Sequence, residues 1–200
     1  MAKISMAAIK DVREATGAGI LDTKKALEKA EGDMQKAIDI LREKGAARAA
    51  KRSGREASEG VIQMYSHPGG RIGVMVEVNC ETDFVARNET FVQLAHDLAL
   101  QIAAMSPKYL KREDVDTDEL DREIAVLRSQ ALAEGKPEKI VEKIVEGRLS
   151  KYYQEVCLME QSFVKEDKKS IKDIITEAIQ ATGENIIVRR FARYELGEEL

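Results

Sequence analysis

Cys80 and Cys157, with His67 and His96, are the residues of this 200-residue chain best suited to nucleophilic or metal chemistry. Cys80 could act as a nucleophile with either histidine as its base. Such sites are recognised by geometry, however, and no spacing here sets an imidazole beside the thiol. Two cysteines and two histidines this far apart fit neither a disulfide framework nor a zinc site, so no metal is expected. Carboxylates are abundant but scattered, and no pair lies in an apolar setting that would drive two pKa values apart. Thr16-Gly17-Ala18-Gly19 has no strand before it and no Gly-Lys-Ser/Thr after it. It meets neither nucleotide fingerprint and reads as a turn between helices. Catalysis and cofactors are therefore both unsupported.

The segment Asn79-Cys80-Glu81-Thr82-Asp83-Phe84-Val85-Ala86-Arg87-Asn88 is of another kind, because it sets a phenylalanine among acidic and basic residues. By pattern alone, Phe84 and Val85 fold back on the core as a staple for the helix that Asn88 caps. The alternative is a protruding anchor for a partner, where burial of one phenyl ring is worth roughly 2–4 kcal/mol. Asp83 would then add orientation more than affinity. Arg48, Lys51, Arg52 and Arg55, with Arg189, Arg190 and Arg193, could touch RNA, yet aromatics make up only 4% of the chain and form no stacking platform. A net charge of −4 also disfavours a phosphate backbone as partner.

These residues need elements to hold them, and the composition supplies a core: 44% hydrophobic, 34% charged and three prolines. Residues 4–44 read as three short helices. The first carries Ile9 and Val12 and stops at Thr16-Gly17, the second carries Ala26, Leu27 and Ala30, and the third carries Met34, Ala37, Ile38 and Leu41 between an Asp33 cap and Gly45. Residues 1–45 are thus expected to form a three-helix module, 46–57 a basic exposed linker, and 58–200 a second unit. In that unit Ile72, Val74, Val76 and Val78 alternate with other residues as in a half-buried strand, pairing with 61–66 across His67-Pro68-Gly69-Gly70. Phe91, Leu94, Ala95, Leu98 and Ile102 define a helix, and residues 118–156 a helical hairpin broken at Gly135-Lys136-Pro137. A final helix starts at Ser170 with Asp173 three residues on and ends at Gly183; residues 185–195 form the last strand. The expected fold is α+β, a three-stranded antiparallel sheet with helices gathered on one side. No run approaches the ~18 apolar residues of a spanning helix and no signal peptide is evident, so a cytoplasmic protein is expected.

Four segments carry a resemblance that covers essentially the whole chain in order: RxxTGAGILDxKKAL at 13–27, NCETDFVARN at 79–88, GKPEKIVEKIVEGRL at 135–149 and GENIIVRRFARYELGE at 183–198. Together they closely resemble the translation elongation factor Ts family. The resemblance implies a guanine nucleotide exchange factor that binds elongation factor Tu, GDP-bound and nucleotide-free, promotes GDP release, and has no active site of its own. It also implies that the N-terminal module is similar to ubiquitin-associated domains and docks on the partner's GTPase domain through Arg13, Ile20, Leu21 and Lys24. By the same carry-over, the loop Thr82, Asp83, Phe84 and Val85 disturbs the partner's Mg²⁺ site, Phe84 wedging between helices while Asp83 helps fix the loop. His67 matches a surface that meets a second domain of the partner. The chain looks like the short form of the family, in which a homodimer would restore the half that long forms carry, and the helical hairpin would reach a further partner surface or a second copy. The competing reading is a scaffold of ubiquitin-associated type, or an RNA-associated module, in which the core merely displays the N-terminal bundle.

Overall fold

The structure is a computed structural model and describes residues 4–199; residues 1–3 and 200 lie outside the described residues. Helix α1 (Met6–Thr16) starts where the Ala8 N–H donates to Ser5 Oγ at 3.1 Å and ends at Gly17, whose φ of 65° is the left-handed turn that stops a helix. Helices α2 (Ile20–Lys29) and α3 (Met34–Arg52) complete a bundle around Ile9, Val12, Leu27, Ala37 and Leu41, all buried. Asp33 caps α3 through the Lys36 N–H at 3.0 Å.

Gly45 does not end α3. The helix runs to Arg52, through much of the stretch expected as linker, and Gly45 is buried within it. A glycine inside a helix costs about 1 kcal/mol of propensity. Here the missing side chain admits Gln180 from the other unit, whose Nε2 donates to the Leu41 carbonyl at 3.3 Å, and a Cβ at Gly45 would collide with that amide. Asp22 of α2 bonds both Lys44 (2.6 Å) and Arg48 (2.7 Å), and the Lys44 ammonium foremost holds its carboxyl below the usual carboxylate range. The bundle is thus tied along one continuous helix to the rest of the protein.

After α3 the chain enters strands β1 (Glu59–Ser66) and β2 (Ile72–Cys80), an antiparallel pair closed at its tip by the His67 N–H on the Ile72 carbonyl at 2.9 Å. A single helical turn α4 (Asp83–Ala86) and the long α5 (Glu89–Met105) follow, Asn88 capping the latter through the Thr90 N–H at 2.9 Å. Helices α6 (Thr117–Ala133) and α7 (Glu138–Val156) form the expected hairpin, with its own small core of Leu127, Ala131, Val141 and Val145. A short ribbon, β3 (Ser162–Phe163) and β4 (Glu166–Ser170), leads into α8 (Ile171–Thr182), which opens with the expected Ser170/Asp173 capping box. Strand β5 (Ile187–Glu195) closes the sheet in the order β1-β2-β5, antiparallel throughout.

The α+β fold thus stands as read, with a three-stranded antiparallel sheet and N-terminal helices. Val74, Val76 and Val78 of β2 pack on Phe91, Leu94, Leu98 and Ile102 of α5, and Ile171, Ile175 and Ile179 of α8 join the same core. The opposite face of the sheet is uncovered: Ile62, Met64 and Met75 are all exposed, and Met64 pairs directly with Met75, which pairs with Ala192. Among the described residues, no helix is long and apolar enough to cross a membrane, and no group of His, Cys, Asp or Glu is arranged to hold a metal ion.

Candidate interaction site

The segment after β2 is where the two readings of Phe84 part. Thr82 adopts extended backbone and its hydroxyl accepts the Val85 N–H at 3.3 Å, starting the single turn α4; the Ala86 N–H returns to the Thr82 carbonyl at 3.1 Å. Successive residues on a helix point about 100° apart, so this one turn can bury Val85 and Ala86 while its preceding residue points to solvent. Val85 faces inward at 5% exposure and Phe84 outward at 79%. The expected staple is half present: Val85 supplies it and Phe84 does not. Asp83 lies at the outer start of the turn, paired with Arg87 at 3.0 Å, with both side chains well exposed.

Residues more than a hundred positions away hold this turn. The Glu184 carboxylate accepts the Glu81 N–H (3.1 Å), the Thr82 N–H (3.0 Å) and the Thr82 hydroxyl (2.6 Å). In return Glu81 Oε1 accepts the Asn185 N–H at 2.7 Å, and the Asn185 side chain donates to the Arg55 carbonyl at 2.9 Å. Arg55 completes the set with a 3.4 Å approach to the Glu81 carboxylate. No local pattern signals that Glu184 and Asn185, which follow the Gly183 end of α8, reach across to β2.

Cys80 is fully buried and donates to the Thr82 carbonyl at 3.2 Å. Burial first, and then the Glu184 charge, push its thiol up to about 11, which keeps it protonated near neutral pH and opposite to what a nucleophile needs.

A second surface lies on the bundle. Ile20 (54% exposed) and Leu21 (74%) open α2 with their side chains in solvent, and Lys24 is exposed one turn on. Arg13 sits in the last turn of α1, and its Nε donates at 3.3 Å to the carbonyl of Ala18, two residues before Ile20. His67 stands at the β1–β2 tip, exposed, with Nδ1 3.1 Å from the Tyr65 hydroxyl.

A solvent-exposed aromatic on a braced turn, and an apolar lip with basic flanks on a separate bundle, are features of proteins that act by contacting other proteins. The chain belongs to the elongation factor Ts family: the family model described as "Elongation factor TS" matches residues 1–198. It is 58% identical over 200 residues to the elongation factor Ts of Desulforamulus reducens, covering 100% of this chain and 92% of that protein. The corresponding protein of Desulfitobacterium hafniense is 59% identical over 99% of this chain and 91% of its own length. That of Moorella thermoacetica is 58% identical over 98% and 96%. The four segments that carried the resemblance therefore belong to a likeness running the whole length of the chain.

Proposed function

We propose that this protein is the cytoplasmic guanine nucleotide exchange factor of elongation factor Tu, that it binds the GDP-bound and nucleotide-free forms, and that it does no covalent chemistry of its own. Family membership supports the exchange activity, and the observation that carries the mechanism is Phe84, exposed on a turn whose neighbour Val85 is anchored in the core. In this reading Arg13, Ile20, Leu21 and Lys24 dock on the partner's GTPase domain. Phe84 then enters between helices beside the partner's Mg²⁺, with Asp83 and Thr82 holding the turn and Val85 as its root. Mg²⁺ requires near-ideal octahedral oxygen ligands and bridges protein to phosphate, so a small displacement around it removes a large part of nucleotide affinity. Thermodynamic linkage supplies the rest. A factor that binds the nucleotide-free form more tightly than the GDP form weakens GDP by the same ratio.

Docking and wedging act on different kinetic constants, and that difference tests the division of labour. Leu21→Asp sets a charge on the lip without touching the Phe84 turn. It is expected to raise the KM for the GDP complex of elongation factor Tu about tenfold, the loss of one apolar anchor, with kcat changed less than about twofold. Steady-state exchange measured across partner concentrations checks this, and an unchanged KM removes the lip from the interface.

His67 extends the contact to a second domain of the partner, and the α6–α7 hairpin to a further surface. The open sheet face is assigned to a homodimer, because Ile62, Met64 and Met75 form an uncovered apolar strip. Met64→Glu, in the middle of that strip, is expected to convert the dimer to a monomer, measured as solution mass by light scattering. A wild-type protein of monomer mass at tens of micromolar contradicts the assignment.

A further inference from the structure

The turn that bears Phe84 is only four residues long, and a helical turn in isolation is unfavourable because nucleation fixes several residues for one hydrogen bond. Something must hold it in place, and the Glu184 carboxylate receives three of its donors, two backbone N–H groups and the Thr82 hydroxyl. Hydrogen bonds to an ionised acceptor are about twice as strong as neutral ones. The hydroxyl bond also does something particular. A threonine hydroxyl has one hydrogen and two lone pairs. Once the hydrogen is given to Glu184 at 2.6 Å, the lone pairs face the Val85 N–H, which is the cap that starts the turn.

Glu184 is itself fixed. It follows Gly183, whose φ of 79° ends α8, and its neighbour Asn185 is buried, with its N–H on Glu81 and its side chain on the Arg55 carbonyl. Segments 81–82 and 184–185 therefore clasp each other reciprocally, each presenting a carboxylate to the other's backbone N–H groups. Because α8 packs in the core through Ile171, Ile175 and Ile179, the direction of Phe84 is referred to the body of the protein.

We infer that Glu184 is a positioning residue for nucleotide exchange, a carboxylate brace that acts through Thr82 to set the direction in which Phe84 leaves the surface. The inference rests on the reading of Phe84 as the inserting side chain. Glutamine at this position keeps one oxygen for the two backbone N–H groups but turns an NH₂ toward the Thr82 hydroxyl, so it preserves part of the brace; alanine removes all of it.

The test compares full-length wild type, Glu184→Ala, Glu184→Gln and Phe84→Ala in catalysed GDP release from elongation factor Tu, alongside amide hydrogen exchange of Glu81 and Thr82 in the free protein. Glu184→Ala is expected to lower kcat about tenfold, the scale of losing precise placement of a group that stays present. KM should stay within about twofold, because the docking lip is untouched. Glu184→Gln should recover most of the rate, and the two amides should exchange faster in the alanine variant. Wild-type kcat in Glu184→Ala together with a slow Phe84→Ala overturns the brace and leaves the Phe84 reading standing. Wild-type rates in both variants overturn the Phe84 reading and the brace with it. A loss shared equally by kcat and docking, and following the unfolded fraction, marks a merely structural role and also overturns the inference. If Glu184→Ala fails to fold, Thr82→Val keeps the two backbone N–H groups on Glu184 and removes the hydroxyl through which the brace reaches the turn, with its bonds to Glu184 and to the Val85 N–H: a matching fall in kcat supports the brace, and an unchanged kcat overturns it.

Discussion

Phe84→Ala is expected to slow catalysed GDP release about 100-fold while leaving the protein folded. The ring is 79% exposed, so its removal uncovers no core and leaves no cavity. Surface substitutions of this kind change stability by no more than about 0.5 kcal/mol. In the complex the same ring would be fully buried, where an aromatic anchor is worth about 2–4 kcal/mol. At about 1.4 kcal/mol per factor of ten, that range corresponds to about 30- to 1,000-fold. Exchange assays and a thermal melt on the same preparation separate the two effects. A variant that melts as wild type and exchanges as wild type removes Phe84 from the mechanism.

Gly60→Ala is expected to produce the largest loss of stability of any single methyl group added to this protein, about 3 kcal/mol, the scale of combined backbone strain and steric overlap. Gly60 lies in β1 opposite Asn79 with φ at 148°, where side chains are strained. A Cβ there would collide with the Val78 carbonyl oxygen and press on Asn79 Cα at 2.8 Å. Both neighbours are backbone of a central strand, so neither can move aside as a side chain would. The collision falls immediately before Cys80, Glu81 and Thr82, and any relief by shifting β2 displaces the Phe84 turn. Urea denaturation monitored by circular dichroism measures the loss. Gly73→Ala is the control, since Gly73 has open space around it and is expected to change stability by less than about 1 kcal/mol. Equal stabilities for the two variants contradict this account of the strand.

The elements that could be read from the sequence were those whose signal is local. The Asn88 cap, the Ser170/Asp173 box, the glycine stop at Gly17 and the alternation of Ile72, Val74, Val76 and Val78 each act within a few residues, and each appears as expected. The continuation of α3 past Gly45 was hidden because its reason lies in Gln180, far along the chain. Ala46, Ala49 and Ala50 lack the bulk that marks a buried face, yet Ala49 packs on the main core. Small residues signal close approach only when the neighbour is known. The β3–β4 ribbon escaped for a different reason: Glu-Asp-Lys-Lys-Ser has no apolar alternation and pairs over too few residues to announce a strand.

Candidate site residues divide along the same line. Phe84 stands out in the sequence as an aromatic among acidic and basic neighbours, whereas Ile20 and Leu21 are marked only by the family resemblance. The exposure of Phe84 was not legible, since it depends on which way a four-residue turn faces, and that is decided by Val85 filling the core. Glu184 and Asn185 fall in the 183–198 segment that carries the resemblance, but nothing in their types or spacing signals a contact with Glu81 and Thr82. A glutamate and an asparagine after a helix-ending glycine look like ordinary surface, and only the antiparallel return of β5 beside β2 brings them to Glu81 and Thr82.

The central claim is that this protein speeds the loss of GDP from elongation factor Tu. It is tested most directly by stopped-flow release of a fluorescent GDP analogue from the cognate elongation factor Tu, with this protein present at a small fraction of the partner's concentration. The account predicts release many times faster than the spontaneous rate, with every partner molecule turned over. Release at the spontaneous rate with the cognate partner would contradict it and leave the bundle and its core as a binding scaffold.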